Sequence, residues 1–150
     1  MCGIFGIVNI NGDAVKKDLL LKMSSHMIHR GPDDEGVFIE NNVGIGMRRL
    51  SIIDIEGGHQ PISNSSNNIH LVLNGEIYNY KELRKELKSK GYKFRTRSDV
   101  EVLIHLYEEE GIECIKKING MFAFILVDKL NNLVWIARDR LGIKPLYYSY

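Results

Sequence analysis

The chain opens "MCGIFGIV", with a cysteine directly behind the initiator methionine. With Met1 retained, Cys2 carries an ordinary thiol. With Met1 removed, thiol and free α-amine share one residue, which is a chemically different object. Further along, "VLNGEIYNY" holds an Asn74-Gly75 pair, which between apolar strands is most often a turn. Here the apolar "IHLVL" precedes it and the helical "EIYNYKEL" follows, so the pair is expected to end a strand at a strand-to-helix corner. There the Asn74 amide and the Gly75 N–H offer two donors to one point, as an oxyanion hole requires. Glu76 beside them reads as a polar contact or as a helix-start charge favoured by the dipole.

Two more segments carry charge that chemistry could use. Arg48 and Arg49 in "MRRLSIID" read as a solvated strand end, or one of them as a fork for a carboxylate. Asp99, in the first turn of a helix, reads as a dipole-matching charge or as a carboxylate that holds an ammonium group. An arginine, an aspartate, two oxyanion donors and a thiol together describe a receptor for an amino acid with a reactive carbonyl. Spacing alone leaves open whether they converge.

The elements that must position these groups follow from periodicity. "GIFGIV" reads as a buried strand, and "KKDLLLKMSSHMIHR" as a helix with Leu19, Leu20, Met23 and Met27 on one face. "RGPDDEG" breaks structure, "VFIE" and "VGIGM" read as paired strands, and "IEGGHQPISNSSNN" as a polar loop. "YKELRKELKSKG" is a helix with Gly91 at its C-terminal cap. "SDVEVLIHLYEEEG" is a second, opened by Ser98 and Glu101 at capping-box spacing. "FAFILVD" and "LVWIARD" are strands joined by "KLNN", and "PLYYSY" is an apolar, β-prone run. Ending there leaves an aromatic edge bare, so the chain is expected to be part of a longer domain. Strands before, between and after helices predict an α+β fold of stacked layers in a single folding unit, 1–150.

Composition narrows the function classes. Twenty Lys and Arg balance 19 Asp and Glu, a net +1, and 44% of residues are apolar. That gives no electrostatic reason to expect nucleic acid or a lipid surface. Two cysteines make neither a disulfide framework nor a zinc quartet, and Cys114 in "IECIKK" reads as core. His26 and His29 would be i, i+3 on a helix, but no second ligand set accompanies them, so no metal site is expected. No apolar run approaches a spanning helix and no signal peptide is visible, so a cytoplasmic location is expected. "ARDRLGIKPLYY" gathers cations without a glycine-rich cradle, and reads as a salt-bridged corner.

"MCGIFGIV", "RGPDDEG", "RRLSIIDIEGGHQPI", "LNGEIYNY", "RSDVEV", "NGMFAF" and "RDRLGIKPLYY", in this order, closely resemble the N-terminal glutaminase domain of glutamine-hydrolysing asparagine synthetases. These are class II glutamine amidotransferases with the N-terminal-nucleophile hydrolase fold. "RGPD" and "NGEIYN" favour this branch over the amidotransferases that make glucosamine phosphate or phosphoribosylamine.

The resemblance implies a four-layer αββα sandwich with mostly antiparallel sheets, truncated here at its C-terminal end, with the synthetase domain absent. It implies that Met1 is cleaved, that Cys2 is the nucleophile, and that its α-amine, with a reference pKa of about 7.7–8.0, is the base. Asn74 and Gly75 would hold the oxyanion, Arg49 the α-carboxylate of glutamine and Asp99 its α-ammonium. Backbone groups of Leu50, Ser51, Ile52 and Ile53, with Glu76, would complete the substrate site. Gly3 would allow close approach beside the nucleophile, and Arg30 would buttress the loop behind the site or assist catalysis directly. No cofactor is implied for this domain; ATP and Mg²⁺ are implied for the synthetase domain, which would receive the ammonia. A homodimer is admitted. Two alternatives remain open: the same ammonia-supplying module in a related amidotransferase, for instance of a polysaccharide pathway, and a glutamine-binding module without turnover.

Overall fold

Two antiparallel sheets form because the strands alternate apolar faces, and each sheet turns one face to the other and one to helices. The computed structural model describes residues 2–50 and 57–150. The first sheet has the order β1 (Gly3–Val8), β3 (Val43–Arg49), β2 (Asp34–Glu40). The second has the order β4 (Ile62–Ser63), β5 (Ile69–Ile77), β6 (Gly120–Asp128), β7 (Leu133–Arg138). Every pairing among these strands is antiparallel.

Period-2 alternation sorts the side chains into three apolar clusters, and these define four layers. Ile45 and Met47 of β3 meet Val72 of β5 and Ile125 and Val127 of β6 between the sheets, with Cys2 and Ile4 packed against them. Phe5, Val15 and Leu20 join helix α1 (Lys17–His26) to the outer face of the first sheet. Leu71, Leu73, Phe122, Phe124 and Leu126 face helices α2 (Tyr80–Ser89) and α3 (Val100–Glu110) across the largest cluster. The expected αββα sandwich is therefore present. Phe124 is fully buried, a contribution of about 3 kcal/mol from lost apolar surface.

Several local expectations change. Strand β5 does not end at Asn74-Gly75: it continues to Ile77, because β6 pairs with it residue by residue as far as Ile77 with Gly120. The corner falls two residues later, where the Asn79 side chain clips the Lys117 carbonyl and the Asn119 N–H. In α1 Leu20 and Ser24 are the buried residues, while Leu19 is exposed. The helix ends at His26, so His26 and His29 do not share a helical face. Ser98 does accept the Val100 N–H, but Glu101 turns away from the expected capping box to accept the N–H groups of Arg95 and Thr96. "PLYYSY" forms no strand, and Tyr147, Tyr148 and Tyr150 are exposed.

The segment between α2 and α3 is fastened at several points. Arg84 donates to the carbonyls of Thr96 and Ser98, both at 2.8 Å, and its guanidinium lies over the Phe94 ring. Beneath it, His105 is buried between Glu101 and Glu108, with Nδ1 2.8 Å from Glu108 and Nε2 3.7 Å from Glu101. Burial opposes a charge on this ring, but the two carboxylates outweigh it and raise its pKa above the usual histidine range. These anchors set where α3 begins, and therefore where Asp99 stands.

Candidate active site

The site lies where the ends of both sheets meet the start of α3. A cavity of about 180 Å³ opens there, lined by Cys2, Arg49, Leu50, Gln60, Leu73, Asn74, Gly75, Glu76, Ser98, Asp99, Val100, Met121 and Lys144. Among the described residues, the fold thus brings together seven of the residues singled out in the sequence. Gly3 and Arg30 stand behind Cys2 instead, and Ser51, Ile52 and Ile53 lie outside the described residues.

The cysteine is held from two sides. Its Sγ accepts the Leu50 N–H at 3.4 Å and stands 3.7 Å from the Leu50 carbonyl. The backbone is braced by Arg30, whose Nη2 donates to the Cys2 carbonyl at 3.2 Å. A Cβ on Gly3 would come within 2.8 Å of Met27 Cε and 3.3 Å of Arg30 Cβ, so the missing side chain lets the end of α1 close on the strand. Arg48 is not the solvated neighbour its sequence context suggests. It donates to the carbonyls of Gly31 and Pro32 and pairs with Glu35 at 2.9 Å, pinning the "RGPD" loop. Arg49, one residue on, faces the other way with Met47 and Ile45 and is buried at the cavity wall.

The ladder decides where Gly75 sends its N–H. In an antiparallel pair a residue's N–H and C=O point to the same side, and sides alternate along the strand. Opposite Gly75, Phe122 receives the Asp139 N–H on the β7 side, so Gly75 sends its own N–H to the far edge of β5. Its neighbours of the same parity agree. Leu73 N–H is capped by Gln60 Oε1 at 2.7 Å, and Ile77 N–H by Asp99 Oδ2 at 2.8 Å. Strand β4 pairs only as far as Leu71, so this stretch of edge faces the cavity. Asn74, of opposite parity, is buried on the face that Val72 shares with the first sheet, the side of Cys2.

Gly75 is also required by packing. Its φ is +150°, and a Cβ there would stand 2.0 Å from the Met121 carbonyl oxygen. Two cations and two carboxylates line the same space: Arg49 and Lys144 against Glu76 and Asp99. Burial raises the Asp99 pKa, the Ile77 N–H pulls it down in part, and the Glu76 charge raises it further. A buried carboxylate in that state gains from a cationic partner. The charge set suits a zwitterion.

Sequence reasoning missed Gln60 and Lys144. Gln60 sits in what reads as a polar loop, yet is buried. Lys144 belongs to the loop read as a salt-bridged corner. Asp139 builds that loop by accepting the N–H groups of Phe122, Ile143 and Lys144, and Arg138 Nε donates to the Lys144 carbonyl at 2.6 Å. The arrangement carries a lysine 6% exposed to the cavity wall. A basic loop residue gives no sequence signal of such burial. Elsewhere, burial pushes the Cys114 thiol up to about 12, as suits a core residue. Among the described residues no three His, Cys, Asp or Glu side chains gather as metal ligands, and no helix is long and apolar enough to cross a membrane.

Known proteins resemble this chain along its whole length. It is 47% identical over 152 residues to Bacillus subtilis asparagine synthetase (glutamine-hydrolysing) 1, covering 99% of this chain and 24% of that protein. It is 44% identical over 151 residues to Escherichia coli asparagine synthetase B (glutamine-hydrolysing), covering 100% of this chain and 27% of that protein. The chain therefore spans about a quarter of the length of the curated relatives it matches. Among solved structures, the allosteric regulatory enzyme of purine biosynthesis superposes with a TM-score of 0.80 at 24% identity, over 96% of this chain and 38% of that one. Glutamine phosphoribosylpyrophosphate amidotransferase from Bacillus subtilis gives 0.79 at 22%, with the same coverage. At that identity the likeness establishes the fold alone, an antiparallel αββα sandwich. The glutamine amidotransferase domain model matches residues 1–150, and the chain belongs to that family.

Proposed function

We propose that this chain hydrolyses glutamine to glutamate and ammonia, with Cys2 as nucleophile after loss of Met1, and that the ammonia serves an ATP-dependent synthetase domain that makes asparagine from aspartate. The observation that carries this is the convergence of Cys2 Sγ, the Asn74 side chain and the Gly75 edge on one cavity that also holds two cations and two carboxylates. Glutamine enters with its α-carboxylate on Arg49 and its α-ammonium between Asp99 and Glu76. The side-chain amide then points towards Cys2.

The Cys2 α-amine takes the thiol proton, and sulfur attacks the amide carbon. The carbonyl electron pair moves to oxygen, where the Asn74 amide and Gly75 N–H donate to it. The ammonium returns its proton to the amide nitrogen, the C–N bond breaks, and ammonia leaves behind a γ-glutamyl thioester. Water, deprotonated by the amine, attacks the thioester; glutamate departs and the proton returns to sulfur. Each oxyanion donor contributes about 2.7–4 kcal/mol to the transition state in comparable sites. Arg30 acts from behind, through the Cys2 carbonyl, and Leu50 through its N–H on Sγ. ATP and Mg²⁺ belong to the synthetase domain in this reading. The names of the relatives support asparagine as the product, and a cytoplasmic location goes with that role.

Intact mass after treatment with a diazo-ketone analogue of glutamine tests the reading. Expected are loss of Met1 and one adduct on Cys2, with Cys114 unmodified because it is buried. Glutamine turnover that survives Cys2→Ala would overturn the assignment.

A further inference from the structure

Gln60 has no role in the chemistry above, yet it touches both halves of the site. Its side chain reaches the second sheet, where Oε1 accepts the Leu73 N–H at 2.7 Å in a buried contact. Its backbone lies against the first sheet. A Cβ built on Gly36 of β2 would come within 1.9 Å of the Gln60 carbonyl oxygen and 3.0 Å of Pro61 Cδ, so β2 has a glycine where Gln60 passes. Cys2 and Arg49 belong to the first sheet's end of the cavity, and Asn74 and Gly75 to the second.

We propose that Gln60 is a positioning residue: by capping the Leu73 N–H from a perch on Gly36 it fixes the open edge of β5, and with it the aim of the Gly75 N–H at the reacting carbonyl. This rests on the amidotransferase reading of the site. Along the edge the Leu73, Gly75 and Ile77 N–H groups point the same way. The outer two are tied down by Gln60 and Asp99, and the middle one opens on the cavity. Strand β4 does not continue the ladder here, so among the described residues side chains hold this edge, and a backbone donor must be fixed to act on a transition state. Asp99 secures the far end but also faces the substrate ammonium. Among the described residues, Gln60 secures the near end.

The test compares wild type with Gln60→Met, which keeps the length and removes the acceptor, and with Gln60→Asn, whose shorter side chain cannot reach Leu73. Glutamine kinetics are measured beside alkylation of Cys2 by iodoacetamide, an attack at a methylene that forms no oxyanion, and hydrogen exchange of the Leu73 amide. Both variants should lose kcat by roughly 10- to 100-fold, the scale of a donor misplaced by about an ångström. KM should stay within about twofold, since Arg49 and Asp99 are untouched. The alkylation rate should be unchanged, and Leu73 should exchange faster. An unchanged kcat, or a loss shared equally by kcat, glutamine affinity and alkylation, overturns the inference. A wild-type chain that alkylates yet never hydrolyses glutamine overturns the amidotransferase reading itself, which separates the two failures.

Discussion

Replacing Gly75 with alanine tests fold and chemistry together. The new methyl would stand 2.0 Å from the Met121 carbonyl oxygen and 2.7 Å from Phe122 Cα, where Cβ atoms do not approach closer than 3.0 Å. Both obstacles are backbone of the neighbouring strand, so no side chain can swing aside. Strand β5 must move off β6 by about 1 Å at the residue proposed to carry the oxyanion donor, and such a misplacement costs about 10²-fold in rate. Overpacking of this kind costs about 1–3 kcal/mol. For a domain of this size that lowers Tm by roughly 3–10 °C. Thermal unfolding followed by circular dichroism, alongside kcat and KM for glutamine, reads both effects. KM should change far less than kcat, because Arg49 lies on a different sheet. A variant with wild-type Tm and wild-type kcat would refute both the ladder argument and the assignment of the Gly75 N–H as an oxyanion donor.

Two further outcomes follow from buried charge. Asp99→Asn keeps an acceptor for the Ile77 N–H but removes a carboxylate whose pKa burial has raised. An acid of raised folded pKa gives its stability at low pH and loses it as pH rises through that value, so the ionised group costs the empty fold near neutrality. The variant should melt higher than wild type at pH 7 and bind glutamine about 10- to 100-fold more weakly, as expected for a lost charged hydrogen bond; unchanged affinity would return Asp99 to a structural role. His105→Gln probes the same direction of pH dependence on a basic group, where the charged form is the one the fold favours. Its raised pKa means a contribution fully present below the unfolded value of about 6.5 and lost as pH rises through the folded one. The Tm of the wild type should therefore fall relative to that of the variant across that window, and parallel profiles would sink the explanation.

Apart from β4, which lies in a stretch that reads as a polar loop, the order of strands and helices and the apolar alternation were legible in the sequence, because they depend on residues two to four positions apart. So were Cys2, Asn74, Gly75, Arg49, Glu76 and Asp99 as candidates, since their chemistry is written in their types and the motifs recur in one order. The geometry was not. Asn74-Gly75 looks like a strand end because local composition says turn, but pairing with β6, some 45 residues away, carries the strand on to Ile77. Whether the Gly75 N–H faces the sheet or the cavity depends on ladder parity, which is a property of two paired strands and not of one. Arg48 and Arg49 are neighbours of the same type, and only the pleat of β3 sends one to the "RGPD" loop and the other to the cavity. Gln60 and Lys144 are ordinary polar residues of ordinary loops until the second sheet's edge and the Asp139 turn bury them. What the sequence alone determined was the inventory of reactive groups and the elements that carry them. Tertiary structure decided which groups share a cavity, because convergence depends on strand pairing and on layers closing over one another.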